Sequence, residues 1–202
     1  MNRRSLLALP TAVAAVLAGT QFAGAALIYS KAWLAPVLIE KAWDESQQRG
    51  VPVKPWSWAD TWPVARLGVQ RLGIERFVMH GDNGNAMAFG PGLRSGAEPG
   101  VPGLPMISGH RDTHFRFLGD LLVDDEIALE YGGQELRYRV TRAVIADARE
   151  GTIDAPLPGQ GLLLVTCYPF DAVQPGGALR YVVIASEVEG DVETEAMTTV
   201  RS

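Results

Sequence analysis

From residue 64 onward the chain is written in short runs. Residues 64–67, 74–79, 104–108, 126–131, 135–146, 161–167 and 179–187 are either period-two or wholly apolar, and Gly and Pro clusters separate them. Runs of that length and pattern are strands. Seven or eight of them in succession predict an antiparallel barrel or sandwich, an all-β class. Gly132-Gly133, between EIALEY and ELRYRVTR, is a two-residue hairpin signal. Residues 83–89 predict one or two helical turns, and 113–121 a second short helix with Thr113 as its cap. The glycine-rich GDNGNAMAFGPG at 81–92 lacks the Gly-Lys-Ser/Thr ending of a phosphate loop and reads as a turn.

The first 60 residues follow other rules. Arg3 and Arg4 precede a run from Leu6 to Tyr29 without a charged residue. At about 1.5 Å of rise each, those residues suffice to cross a hydrocarbon core of about 30 Å. Ala23-Gly24-Ala25 also resembles a signal-peptide cleavage site, but the run is longer than a signal core and continues through Ile28, which favours an uncleaved transmembrane anchor. With the arginines on the cytoplasmic side, everything after Tyr29 is expected outside the membrane. Residues 31–60 then read as an amphipathic juxtamembrane helix, interrupted near Pro36, and a Pro/Trp-rich stalk packing its aromatics onto the domain. Trp33 suits the membrane interface. The expected organisation is 1–30 anchor, 31–60 helix and stalk, 61–190 β domain, and 191–202 a flexible tail.

A formal net charge of -5 and no basic patch argue against nucleic-acid binding. Cys167 is the only cysteine, so the chain holds no intrachain disulfide and no four-cysteine zinc site. A free thiol outside the cytoplasm invites oxidation and needs a reason to be there.

Three histidines are present: His80, His110 and His114. HRDTH spaces two of them as in a zinc peptidase, but Arg111 stands where the base glutamate belongs. His80 and His114 read as a turn residue and the polar side of a short helix. His110 differs, because it closes the apolar run LPMIS, as Cys167 closes GLLLVT. Strand ends beside loops are where site residues collect. If strands 161–167 and 179–187 pair antiparallel, Cys167 and Arg180 become neighbours, with Arg180 on the face of Val182 and Ile184. A free thiol is only about 3% thiolate at pH 7, so a nucleophilic cysteine profits from adjacent cations. Arg180 is suited to an oxyanion, and His110 to proton transfer onto a leaving amine. The three together point to acyl transfer through a thioester. The competing readings are a strictly hydrolytic cysteine peptidase and a non-enzymatic, membrane-tethered β-domain with Cys167 buried.

SGHRD around His110, LLVTCYPF around Cys167 and ALRYVV around Arg180, in that order and downstream of an apolar N-terminal run, resemble the sortases, membrane-anchored cysteine transpeptidases. The likeness covers roughly residues 60–188 and is greatest for the Gram-negative, proteobacterial type. The family's Thr-Leu-x-Thr-Cys signature is met by Leu164, Thr166 and Cys167, while Leu163 replaces its first threonine. The resemblance implies a closed eight-stranded β-barrel with short helices. It implies cleavage of a Leu-Pro-x-Thr-Gly-like C-terminal sorting signal on a surface or secreted protein, and transfer to an amine acceptor. Cys167 would be nucleophile, His110 general acid and Arg180 oxyanion partner, with the backbone near Thr166 assisting. Some relatives use calcium; Asp124, Asp125 and Glu126 read here as a solvated turn, and no metal or other cofactor is expected.

Overall fold

The computed structural model of the chain describes residues 33–150, 161–174 and 176–188. Helix α1 (33–49) leads to β1 (Pro63–Val69), β2 (Ile74–His80), a one-turn helix α2 (Gly84–Met87), β3 (Gly92–Leu93) and β4 (Met106–Ser108). A 3-10 turn (Arg116–Asp120) precedes β5 (Glu126–Tyr131), β6 (Gln134–Asp147), β7 (Gly161–Cys167) and β8 (Leu179–Glu187). The strands close into a barrel in the order β1-β2-β3-β4-β7-β8-β6-β5.

The closed eight-stranded barrel agrees with expectation, whereas the wholly antiparallel pairing that the sequence predicts does not hold. β2 pairs with β3, and β4 with β7, in parallel. Strand β3 escaped the sequence reading because two residues carry no periodicity. Its trace lies in its glycines: a Cβ on Gly92 would stand 2.2 Å from the Gly81 carbonyl, so only glycine lets this segment approach β2. Between β5 and β6, Gly132 and Gly133 have φ of 59° and 78°, the two positive values that a type I′ hairpin requires.

Inside the barrel, Leu67, Ile107, Phe115, Leu129, Leu164 and Val183 belong to one core cluster. Helix α1 runs unbroken through Pro36, contrary to expectation. The carbonyl that an N–H at 36 would seek belongs to residue 32, so the proline costs no hydrogen bond among the described residues. Ala35, Ile39, Ala42 and Trp43 form its buried stripe, and Ile39 clusters with Met79 of β2 and Ala86 of α2. Trp56 meets Phe89 edge-on and Trp62 stacks on His80 at 4.2 Å, whereas Trp58 is exposed. His80 is thus a strand-end residue packed on an indole, not a turn residue.

Two further expectations are corrected. The segment after Thr113 is a short 3-10 turn with Phe115 at its N-cap and no side-chain cap. The N–H groups of Thr113 and Phe115 both return to the His110 carbonyl, and this loop sinks Phe115 fully into the core. Asp125 is not solvated: it is buried and accepts from the Arg71 guanidinium and the Leu122 N–H. The Arg71 hydrogen bond holds its carboxyl below the usual carboxylate range. The apolar run 6–29 and the tail after 190 lie outside the described residues; among those described, no helix is long and apolar enough to cross a membrane.

Candidate active site

Strands β4, β7 and β8 lie side by side in the barrel. Cys167 and Arg180 are direct cross-strand partners. At the next pair, Tyr168 donates its N–H to the Leu179 carbonyl at 3.1 Å. Hydrogen-bonded and non-hydrogen-bonded pairs alternate in an antiparallel ladder, so Cys167 and Arg180 form the closer kind, with Cα atoms about 4.5 Å apart.

His110 arrives from the other side. β4 runs parallel to β7 with Ser108 opposite Val165, and the Gly109 N–H donates to the Val165 carbonyl at 3.0 Å. Continued two residues, that register brings His110 alongside Cys167. Thr166, buried between them in sequence terms, secures the approach: its hydroxyl donates to the Gly109 carbonyl at 2.7 Å. Gly109 has no room for a side chain, because a Cβ would lie 2.8 Å from the Phe115 ring. By register, the backbone of His110 thus lies on one flank of the thiol strand and that of Arg180 on the other.

Strand alternation decides what surrounds them. Leu162, Leu164 and Thr166 face inward, while Leu163 and Val165 share Cys167's outer face. Across the ladder, Val182 and Ile184 share the outer face of Arg180, as the alternation predicts. Leu163, Val182 and Ile184 form a buried cluster on that face, extended by Leu104, Met106 and Val144. The outer face of a small barrel normally meets water; here it is an apolar stripe ending at a thiol.

His110 is exposed, and Cys167 and Arg180 are half-buried. Arg180 Nη1 donates to the carbonyls of Gly177 and Leu179 at 2.7 and 2.9 Å, which holds the guanidinium against its own loop. Asp147, opposite Leu179 on β6, sits in the field of Arg180; its carboxyl is drawn down to about 2, chiefly by the Arg149 guanidinium and N–H. His114 is half-buried rather than on a polar face. Burial pushes its imidazole below the ordinary value, and the nearby His110 and Arg76 add to this.

Three residues at this site were missed by the sequence reading. Gly109 carries the contact to Thr166, Asp147 feels the charge of Arg180, and Arg111 bonds to the loop after Cys167. Arg111 was visible only as the residue that breaks a zinc-peptidase pattern. Among the described residues, no group of three His, Cys, Asp or Glu side chains is placed to hold a metal ion. A surface hollow between Val123, Thr141 and Glu187 includes none of Cys167, His110 and Arg180.

The barrel, with Cys167 on β7, Arg180 on β8 and His110 two residues beyond β4, is that of the sortase class. A family model described as Sortase domain matches residues 67–188, and the chain belongs to the sortase family. Sortase D of Bacillus subtilis (strain 168) is 30% identical over 125 residues, which are 60% of this chain and 62% of that relative; the match thus spans less than two thirds of it. Sortase A of Corynebacterium diphtheriae shares the fold with a TM-score of 0.57 at 20% identity, over 88% of this chain and 97% of that one. Sortase C-1 of Actinomyces oris does so with a TM-score of 0.53 at 24% identity, over 62% and 72%.

Proposed function

We propose that this chain is a cysteine transpeptidase that cleaves a Leu-Pro-x-Thr-Gly-like sorting signal and passes the acyl group to an amine. The observation that carries the reading is the three-strand alignment: Arg180 is the cross-strand partner of Cys167, and β4 delivers His110 to its other flank. The Cys167 sulfur attacks the carbonyl that follows the signal's threonine. A C–S bond forms, the peptide C–N bond breaks, and His110 supplies the proton that the departing glycine amine takes. Arg180, always charged and planar, stabilises the oxyanion between those events. An acceptor amine then attacks the thioester, returns its proton to His110 and releases the thiolate.

The apolar stripe supports the choice of substrate. Leu104, Met106, Val144 and Val165, half-buried over the Leu163, Val182 and Ile184 cluster, give the face of the Cys167–Arg180 pair an apolar surface for the Leu-Pro side chains of an extended peptide. Leu163 stands where the family signature has threonine, and at 5% exposed it underlies that surface. The acceptor is an amine, and the donor a surface or secreted protein with a C-terminal signal. The run 6–29 is read as a single-pass anchor with the barrel on the extracytoplasmic side, and the tryptophan-rich stalk and the acidic balance suit the Gram-negative type.

The test is a sorting-signal peptide incubated with the protein and a primary amine. Mass spectrometry is expected to detect an acyl adduct on Cys167 and an amine-capped product that rises with amine concentration. Product formed with water alone at every amine concentration would identify a hydrolase, and failure to acylate Cys167 would overturn the reading.

A further inference from the structure

Arg111 is 5% exposed, an unusual degree of burial for a guanidinium. All three of its nitrogens are occupied. Nε donates to the Asp112 carboxylate at 3.0 Å, Nη1 to the Pro169 carbonyl, and Nη2 to the Ala172 carbonyl at 2.8 Å. Those carbonyls lie two and five residues beyond Cys167, and Arg111 directly follows His110. On the other side of the pair, Thr166 directly precedes Cys167 and bonds to Gly109, which directly precedes His110. His110 and Cys167 are therefore bracketed by two ties between the same two segments.

We propose that Arg111 is a positioning residue: with the Thr166–Gly109 bond it forms a two-point clamp that sets the separation and angle between His110 and Cys167. A single tie leaves two strand ends free to pivot, whereas two ties on either side of the reacting groups do not. The loop it holds also carries Arg180's supports. Tyr168 bonds to Leu179, whose carbonyl, with that of Gly177, accepts from Arg180. A lysine ammonium keeps the charge but lacks the planar fork that meets two carbonyls and a carboxylate at once. The inference rests on Cys167 and His110 acting together, as proposed above.

The experiment compares the wild-type chain with Arg111→Lys and Arg111→Gln, and reads two signals. One is kcat and KM for a sorting-signal peptide; the other, independent of any peptide, is the pH profile of Cys167 alkylation by iodoacetamide. Rates are normalised to the folded fraction from a melting curve. Both variants are expected to lose kcat by on the order of 10²-fold at a KM within about threefold, since misplacement by about 1 Å costs that much. Their alkylation profiles are expected to shift along the pH axis. A merely structural residue would lower the melting temperature and move neither signal per folded molecule; that outcome overturns the clamp. If Arg111→Gln does not fold, Arg111→Lys decides. If the wild-type chain processes no peptide, the proposed function falls, and the alkylation shift still decides the clamp.

Discussion

Two halves of one barrel obey different rules. Strands β1, β5 and the first part of β6 are apolar inward and charged outward: Arg66 reaches Glu130 and Glu75, Arg139 reaches Glu126, and Arg137 reaches Glu135. Strands β7 and β8 are apolar on both faces, with Leu162, Leu163, Leu164, Val182, Val183 and Ile184 all buried. The sequence shows the same contrast, EIALEY against GLLLVTC. A strand buried on both faces has something other than water to meet on its second face. Here that face carries the Cys167–Arg180 pair, so the half of the barrel that gives up its solvated surface is the half that holds the candidate site.

Breaking the contrast at its centre gives the largest effect. Cys167→Ala is expected to lower acyl transfer by at least about 10⁴-fold, and His110→Ala by about 10²- to 10⁴-fold, with melting temperatures held within a few degrees. Steady-state kinetics and a thermal melt check both; a collapsed melt for His110→Ala would make it a packing residue. Arg180→Lys is expected to cost about 10²- to 10³-fold in kcat, as for loss of an oxyanion donor. Arg66→Lys, across the barrel, is expected to leave kcat within about twofold, and equal losses in the two would dissolve the distinction.

The energetic contrast is smaller and is read by denaturant unfolding. Ile184→Ala on the outer face of β8 is expected to cost about 2–5 kcal/mol. Glu130→Ala, which removes an exposed ion pair from the outer face of β5, is expected to cost less than about 1 kcal/mol. The smallest effect is one of pH. Asp125 has its carboxyl lowered on folding, chiefly by Arg71, so its contribution is present above the ordinary carboxylate value of about 3.9 and is lost as pH falls through and below it. Asp125→Asn is expected to flatten the acid limb of the stability curve, and an unchanged limb would show that the Arg71 pair contributes nothing there.

Much of the functional half was legible without coordinates. The bounds of β5, β7 and β8 coincide with the sequence reading, because apolar runs closed by Gly, Pro or polar residues mark their own ends. Antiparallel pairing of 161–167 with 179–187, expected from their loop, puts Arg180 beside Cys167, and the register agrees. Errors fell where local pattern is silent. Two-residue β3 has no period, Pro36 does not break α1, and Asp125 looked like part of an acidic turn until Arg71, distant in sequence, was brought against it.

What the sequence alone determined is which faces are apolar and which residues end the strands. Period-two alternation is a local property, and it suffices to put Cys167 and Arg180 on one face of one hairpin. Only the tertiary structure decided that β4 runs parallel to β7, that Thr166 grips Gly109, and that Arg111 reaches past Cys167 to Pro169 and Ala172. The β4–β7 pairing joins segments more than fifty residues apart, and no turn between them records its register. Side-chain period says which way a residue points, and only the closed barrel says what it meets there.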